Sequence, residues 1–125
     1  MCVYVGTNVK IVDKTGAREV LIICLFKNKK KAQVAQTLKS VCKKAIVKTS
    51  SGKRLAQKGN MYNIVLVKQL KPIKKISGTQ VFFKTKGAVL LNREDGPLSY
   101  RLVGPVSINL RYKYSKIMSY SDYII

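Results

Sequence analysis

Asp13, Lys14 and Arg18 stand together in the stretch IVDKTGAR, residues 11–18, around a glycine at position 16. Asp13 is one of only five acidic residues in a chain that carries 25 lysines and arginines. The chemistry open to such a group is ion binding rather than bond making. A short acid at a turn accepts hydrogen bonds from nearby backbone amides, and Gly16 supplies the tight bend. Arg18 then emerges at the base of the next strand, placed to meet phosphate. Taken alone, IVDKTGAR is a common hairpin turn with a charge nearby.

The usual groups of a catalytic site are missing. The chain has no histidine, so the common general base, zinc ligand and triad member is absent. The acids are Asp13, Glu19, Glu94, Asp95 and Asp122. Only Glu94 and Asp95 are adjacent, and they lie in the turn signal NREDGP, where solvated loop acids are the better reading. The cysteines, Cys2, Cys24 and Cys42, are odd in number and widely spaced, which supports neither a disulfide framework nor a zinc site. Without a histidine partner, Cys24 and Cys42 read as buried core residues in a reducing compartment. The glycines are scattered as single turn residues, so no phosphate-cradling loop is present. No enzymatic activity, cofactor or metal is expected.

Charge says more. The 125 residues carry a formal net charge of +20, with Lys outnumbering Arg 20 to 5. Self-repulsion of this size in a compact chain calls for a polyanionic partner. Positive charge gathers in runs. KNKKK spans 27–31; Lys43, Lys44 and Lys48 lead into SSGKR with Lys53 and Arg54, then Lys58; KPIKK carries Lys74 and Lys75. One such run is often only a solvated face. Several, with so few acids, point to phosphate binding. Lysine-rich loops suit a backbone that is followed rather than a base edge that is read. The expected phosphate contacts are Lys14, Arg18, Lys43, Lys44, Lys48, Lys53 and Arg54. To these are added Lys58, Lys74, Lys75, Arg93, Arg101, Arg111 and Lys116. No helix-turn-helix, zinc finger or basic zipper is present. VFFK at 81–84 bears a faint likeness to an RNA-recognition aromatic signature, with Phe82 and Phe83 on opposite faces, so at most one can stack on a base.

The elements that must hold these groups are mostly strands. NVKIVD alternates Val9 and Ile11 against Lys10. AREVLIICLF is apolar on both faces and reads as a strand covered on both sides. YNIVLVKQL (62–70), TQVFFKT (79–85) and AVLLN (88–92) follow, punctuated by turns at Ser77-Gly78 and Lys86-Gly87. Short strands with regular turns suggest a small barrel or sandwich. Residues 32–48 are ambiguous: Val34, Leu38, Val41 and Ala45 recur at helical spacing, while Leu38, Ser40 and Cys42 fit one side of a strand. Local propensity leans to helix. After the turn at Gly104-Pro105, Ser107 is a candidate cap for a short helix. Tyr112, Tyr114, Tyr120 and Tyr123 read first as packing against the barrel.

One domain fits this length. The longest apolar run, VLIICLF at 20–26, is too short to span a bilayer, and no membrane partner is expected. The N-terminus MCVYVGTNVK reads as neither signal nor transit peptide.

Four stretches together resemble one family. IVDKTGAREVLIICL, ISGTQVFFKTKGAVLLN, RLVGPVS and KIMSYS are similar, in order and spacing, to signatures of the universal large-ribosomal-subunit protein 14 family. The resemblance implies a mainly β fold: a small five-stranded β-barrel with a β-ribbon arm and short C-terminal helices. It implies a barrel over about residues 1–106 and a helical tail over about 107–125. It also implies a strand within 35–47, against the local helical leaning. By the same likeness the chain is a structural constituent of the large subunit that binds large-subunit rRNA. It would meet small-subunit rRNA at the intersubunit face, beside proteins resembling large-subunit proteins 3 and 19. A ribosome-silencing factor is a further implied partner. The alternative is a free-standing barrel-type RNA-binding module. The sequence departs from the family pattern in KNKKKAQVAQT, which lacks the usual glycines, at Asn63 and Lys86, and at Ser99 and Tyr100. High Lys, Ile, Asn and Tyr suggest an A+T-rich organellar genome. The expected compartment is the mitochondrial matrix, with another organelle or the bacterial cytoplasm as alternatives.

Overall fold

The computed structural model describes residues 3–25, 31–45, 56–70, 72–94, 96–99 and 101–125. Five strands close a barrel: β1 (Asn8–Ile11), β2 (Ala17–Leu25), β3 (Thr37–Ala45), β4 (Met61–Lys68) and β7 (Gly87–Leu91). Neighbours run antiparallel except at the closing seam, where β1 lies parallel to β7. A two-stranded ribbon, β5 (Ile73–Lys74) with β6 (Gln80–Val81), projects between β4 and β7 in sequence. The tail holds β8 (Pro105–Val106), a 3-10 helix (Ile108–Tyr112), the short helix α1 (Ser115–Ser119) and β9 (Tyr123–Ile124), which pairs parallel with β8. The expected barrel, ribbon and short terminal helices are all present. Ser107 caps the 3-10 helix, its hydroxyl accepting from the Asn109 amide at 3.3 Å.

Two apolar clusters divide the interior. Val9, Val20, Ile22, Leu38, Ile64 and Leu90 fill the barrel lumen. Val65, Val67 and Val89 point outward from β4 and β7 into a second cluster with Leu102, Val106, Leu110, Tyr114 and Ile117 of the tail. The strands covered on both faces are therefore β4 and β7. β2, expected in that role, alternates buried Val20 and Ile22 with half-buried Leu21 and Ile23. Cys42 is a core residue as expected, but Cys24 is exposed. A register shift between Ile22 and Cys24 breaks the alternation there. Of the tyrosines, Tyr114 is buried and its hydroxyl bonds that of Thr37, whereas Tyr123 is exposed. The Tyr112 side chain lies outside what is described.

Residues 37–45 form a strand, not a helix. Leu38, Ser40 and Cys42 face inward, and both edges of β3 are paired, to β2 and to β4. Two ladders outweigh a modest helical propensity. The expected strand over 79–85 shrinks to Gln80–Val81, because the Phe83 amide turns away to the Gln69 carbonyl at 3.2 Å. Gly87 is not a turn residue but the first residue of β7. A Cβ there would lie 2.9 Å from Lys68 Cε and 3.0 Å from Val12 Cγ1, so a larger side chain would have to displace the Lys68 tip and shift Val12. Pro105, expected in a turn, opens β8; the bend itself sits at Gly104.

The turn at 13–16 is as expected. Asp13 Oδ1 accepts from the Thr15 hydroxyl at 2.7 Å and from its amide at 3.3 Å. Gly16 takes the bend at φ +99. One partner was not foreseen: Asp13 Oδ2 accepts from the Leu90 amide at 3.0 Å, reaching β7 across the closing seam.

The loop before β3 holds a non-glycine residue in the left-handed region. Ala35 sits at φ 71, its amide bonded to the Leu66 carbonyl at 3.0 Å. A left-handed conformation costs an L-residue roughly 1–2 kcal/mol. Ala35→Gly should therefore raise stability by about 0.5–1 kcal/mol, after allowing for the looser unfolded chain. A urea midpoint that stays or falls would contradict this strain.

Asp13→Ala should cost about 2–4 kcal/mol, because it strands the Leu90 amide and the Thr15 hydroxyl. Its pH dependence has a definite sign. Burial pushes the Asp13 carboxyl above its ordinary 3.8, outweighing the Thr15 and Leu90 donors that pull it down. The folded chain thus holds this proton more tightly than the unfolded one. The stability linked to it is full below 3.8 and is lost as pH rises through the raised folded value. Urea titrations of wild type and Asp13→Asn across that window should show the wild-type advantage shrinking as pH climbs.

Candidate nucleic-acid interface

Strand register builds the central feature. Lys10 of β1 stands opposite Glu19 of β2, and Glu19 stands opposite Lys44 of β3. This row crosses the outside of the barrel. At one end the Asp13–Gly16 turn presents exposed Lys14, and β2 presents exposed Arg18. Together Lys10, Lys14, Arg18, Glu19 and Lys44 line a groove of about 640 Å³. A second groove of about 270 Å³ shares Lys10 and Glu19 and adds Lys84 and Lys86. The two therefore form one basic track over β1 and β2.

Acidic groups do little to neutralise it. Glu19 pairs with Lys44 at 3.3 Å. Asp13 is buried and engaged with amides. Glu94 is exposed in its loop, where its amide donates to Asn92 Oδ1 at 2.9 Å, the solvated turn acid expected there. Asp95 lies outside the described residues. Among the described residues no group of three Cys, Asp or Glu could hold a metal ion.

The other expected contacts fall elsewhere. Lys43 is exposed on β3, near the turn carrying exposed Lys58, whose Gly59 amide bonds the Cys42 carbonyl at 2.8 Å. Lys74 is exposed and Lys75 half-buried on the ribbon, where the Gly78 amide bonds the Lys75 carbonyl at 3.0 Å. Exposed Arg93 shares a separate groove of about 420 Å³ with Lys39, Asn63 and Asn92. Exposed Arg101 precedes Leu102, which bridges Asp13, so it comes to the same end of the barrel as Lys14. Arg111 and Lys116 are exposed on the tail, which packs over β4 and β7 rather than over the track. Lys48, Lys53, Arg54 and the lysines at 27, 29 and 30 lie outside the described residues.

The sequence reading missed Lys10, Lys39, Lys84 and Lys86. Lys10 carried a usable signal, since it alternates with the inward Val9. Lys68 was also passed over. Its side chain crosses Gly87 and its Nζ reaches Gly104, and burial pushes its ammonium below the ordinary lysine value.

A family model described as ribosomal protein L14p/L23e matches residues 2–125.

Glu19 is the one acid exposed to the basic track among the described residues, and its ion pair is partly solvated, so the pair itself adds little stability. Glu19→Gln should leave the urea midpoint nearly unchanged. It should also move elution from heparin to higher salt and tighten RNA binding a few-fold. Weaker retention would mean that Glu19 orders the track rather than opposing it.

Proposed function

The chain belongs to the ribosomal protein L14p/L23e family, and from that premise we propose that its basic track holds large-subunit rRNA. Members of this family are structural components of the large ribosomal subunit, not catalysts. The observation that carries the proposal is the register of Lys10, Glu19 and Lys44, which gathers dispersed lysines into a line flanked by Lys14 and Arg18. The mechanism is electrostatic. Ammonium and guanidinium groups displace condensed counterions and fix RNA segments in register, without reading base edges. Lys43, Lys58, Lys74, Lys75, Arg93, Arg101, Arg111 and Lys116 are all available to neighbouring phosphates except where half-buried at Lys75.

The finer placement extends the same proposal. Resemblance to the family supports a position on the intersubunit face, contact with small-subunit rRNA, neighbours resembling proteins 3 and 19, and docking of a ribosome-silencing factor. Composition supports a mitochondrial ribosome as the setting, through the bias toward Lys, Ile, Asn and Tyr. A free-standing single-strand-binding barrel would line one groove with stacking aromatics. Here the exposed Tyr4, Phe82 and Tyr123 lie before β1, after β6 and on β9, and none of them lines the two basic grooves.

If about eight phosphates are contacted, binding to isolated large-subunit rRNA should weaken by about 10³ to 10⁵ between 50 and 200 mM salt. Filter binding across that range tests this, and an affinity indifferent to salt would refute it. Arg18→Ala should impair large-subunit assembly more than Lys30→Ala. Arg18 occupies the track beside the Asp13 turn, whereas Lys30 belongs to a redundant run. Sucrose-gradient profiles showing equal or greater loss from Lys30→Ala would reverse that ranking.

A further inference from the structure

Phe82 is 66% exposed, while the next residue, Phe83, is buried. The Phe83 amide is held by the Gln69 carbonyl at 3.2 Å. The buried Phe83 ring and this bond hold the backbone just past β6, and Phe82 is left on the solvent side. A phenylalanine left in water forgoes the largest apolar gain its side chain can make. A lone exposed ring is ordinary on a protein surface. The surroundings of this one are not.

No acidic residue occurs from Lys68 through Lys86. Exposed Lys84 follows Phe82 by two positions and lines the groove that also holds Lys10 and Lys86. A bend at Lys84 and Thr85 follows the ring directly and keeps the Lys84 ammonium close to it in the chain. On the ribbon, exposed Lys74 stands opposite Gln80, two residues before the ring. An exposed π-face thus lies in a stretch without acids, between the strand pair Lys74–Gln80 and Lys84, and Lys84 itself lines the groove shared by Lys10, Lys86 and Glu19. That combination suits single-stranded nucleic acid: stacking for the base, ammonium for the phosphate. An acidic protein would use the lysines but gain nothing specific from the ring's face.

We propose that Phe82 is a stacking platform for one unpaired RNA base, whose flanking phosphates are held by Lys84 and Lys86. This rests on the rRNA reading of the basic track and adds an unpaired nucleotide to it.

The chain has no tryptophan, so Phe82→Trp places a single indole at the platform, excited apart from the tyrosines at the red edge. The probes are a short oligoadenylate and a blunt RNA duplex of equal length. The oligoadenylate should quench the indole emission of the Phe82→Trp variant, and the duplex should not. Phe82→Leu should lose about 5- to 150-fold in affinity for the oligoadenylate, with its salt slope unchanged and its duplex binding intact. Lys84→Ala should instead flatten the slope by about one ion. Wild-type affinity of Phe82→Leu for the oligoadenylate, with the slope preserved, overturns the platform and leaves the rRNA reading standing. A Phe82→Leu defect seen only in assembled subunits, not on naked RNA, makes the ring a protein contact and overturns it too. A wild type whose RNA binding ignores salt overturns both readings.

Discussion

Closing a five-stranded barrel requires a seam between its first and last strands, and here that seam is short and parallel. β1 meets β7 through Lys10 with Gly87 and Ile11 with Ala88. Parallel pairing is slightly weaker per residue than antiparallel. Asp13 lies just past this seam and reinforces it. One carboxylate oxygen takes the Thr15 hydroxyl and amide, and the other takes the Leu90 amide, 77 residues away. Its backbone bridges Leu102, and next to it the Val103 amide bonds the Val12 carbonyl at 2.8 Å. A single side chain thus ties the first hairpin to the closing strand, while its backbone ties in the tail. Desolvating a carboxyl is costly, and three donors offset only part of that cost, so burial still raises its pKa.

The same junction arranges the surface. With the tail drawn over β4 and β7, the outward faces of those strands become interior. Leu102, Val106, Leu110, Tyr114 and Ile117 recur every three or four residues and cover them. The Tyr114 hydroxyl bonds Thr37 on β3, which extends the clamp one strand further. The outside of β1 and β2 has no such cover from the tail, and there the lysines and Arg18 stand in solvent. The basic track is what remains of the barrel wall once the tail has taken its share.

Much of the barrel could be read from residue order. β-branched runs and turn residues located β1, β2, β4 and β7, and the Asp-x-x-Gly pattern gave the first turn with its local bonds. The strand at 37–45 could not be read locally, because its decisive evidence is two neighbouring ladders contributed by residues far along the chain. Resemblance supplied what periodicity could not. The errors share a cause. Assigning both-face burial to β2 rather than β4 and β7 required knowing where the tail packs, and placing Gly87 in a turn required knowing how near Lys68 and Val12 come. For the site, charge runs drew attention to KNKKK and SSGKR. The lysines that line the track include Lys10 on β1 and Lys84 and Lys86 just before β7, none of them in a long charge run. A track assembled from different strands has no local motif.

A net charge of +20 strains any compact fold, and its arrangement limits that strain. Like charges repel least when each is well hydrated, and most of the described lysines and all four described arginines are exposed. Lys68 is the departure. Half-buried and without an acidic partner among the described residues, it sits where its stem passes over Gly87 and its tip meets Gly104. The apolar stem packs while the ammonium is partly stripped of water. A phosphate brought close would favour the charged form and compensate that loss. The energetic logic of the bound state is therefore already written into the free chain. Among the described residues Glu19 is the one acid open to the track, where it pairs with Lys44, and the remaining track cations have no acidic partner, which leaves them free to meet an outside polyanion.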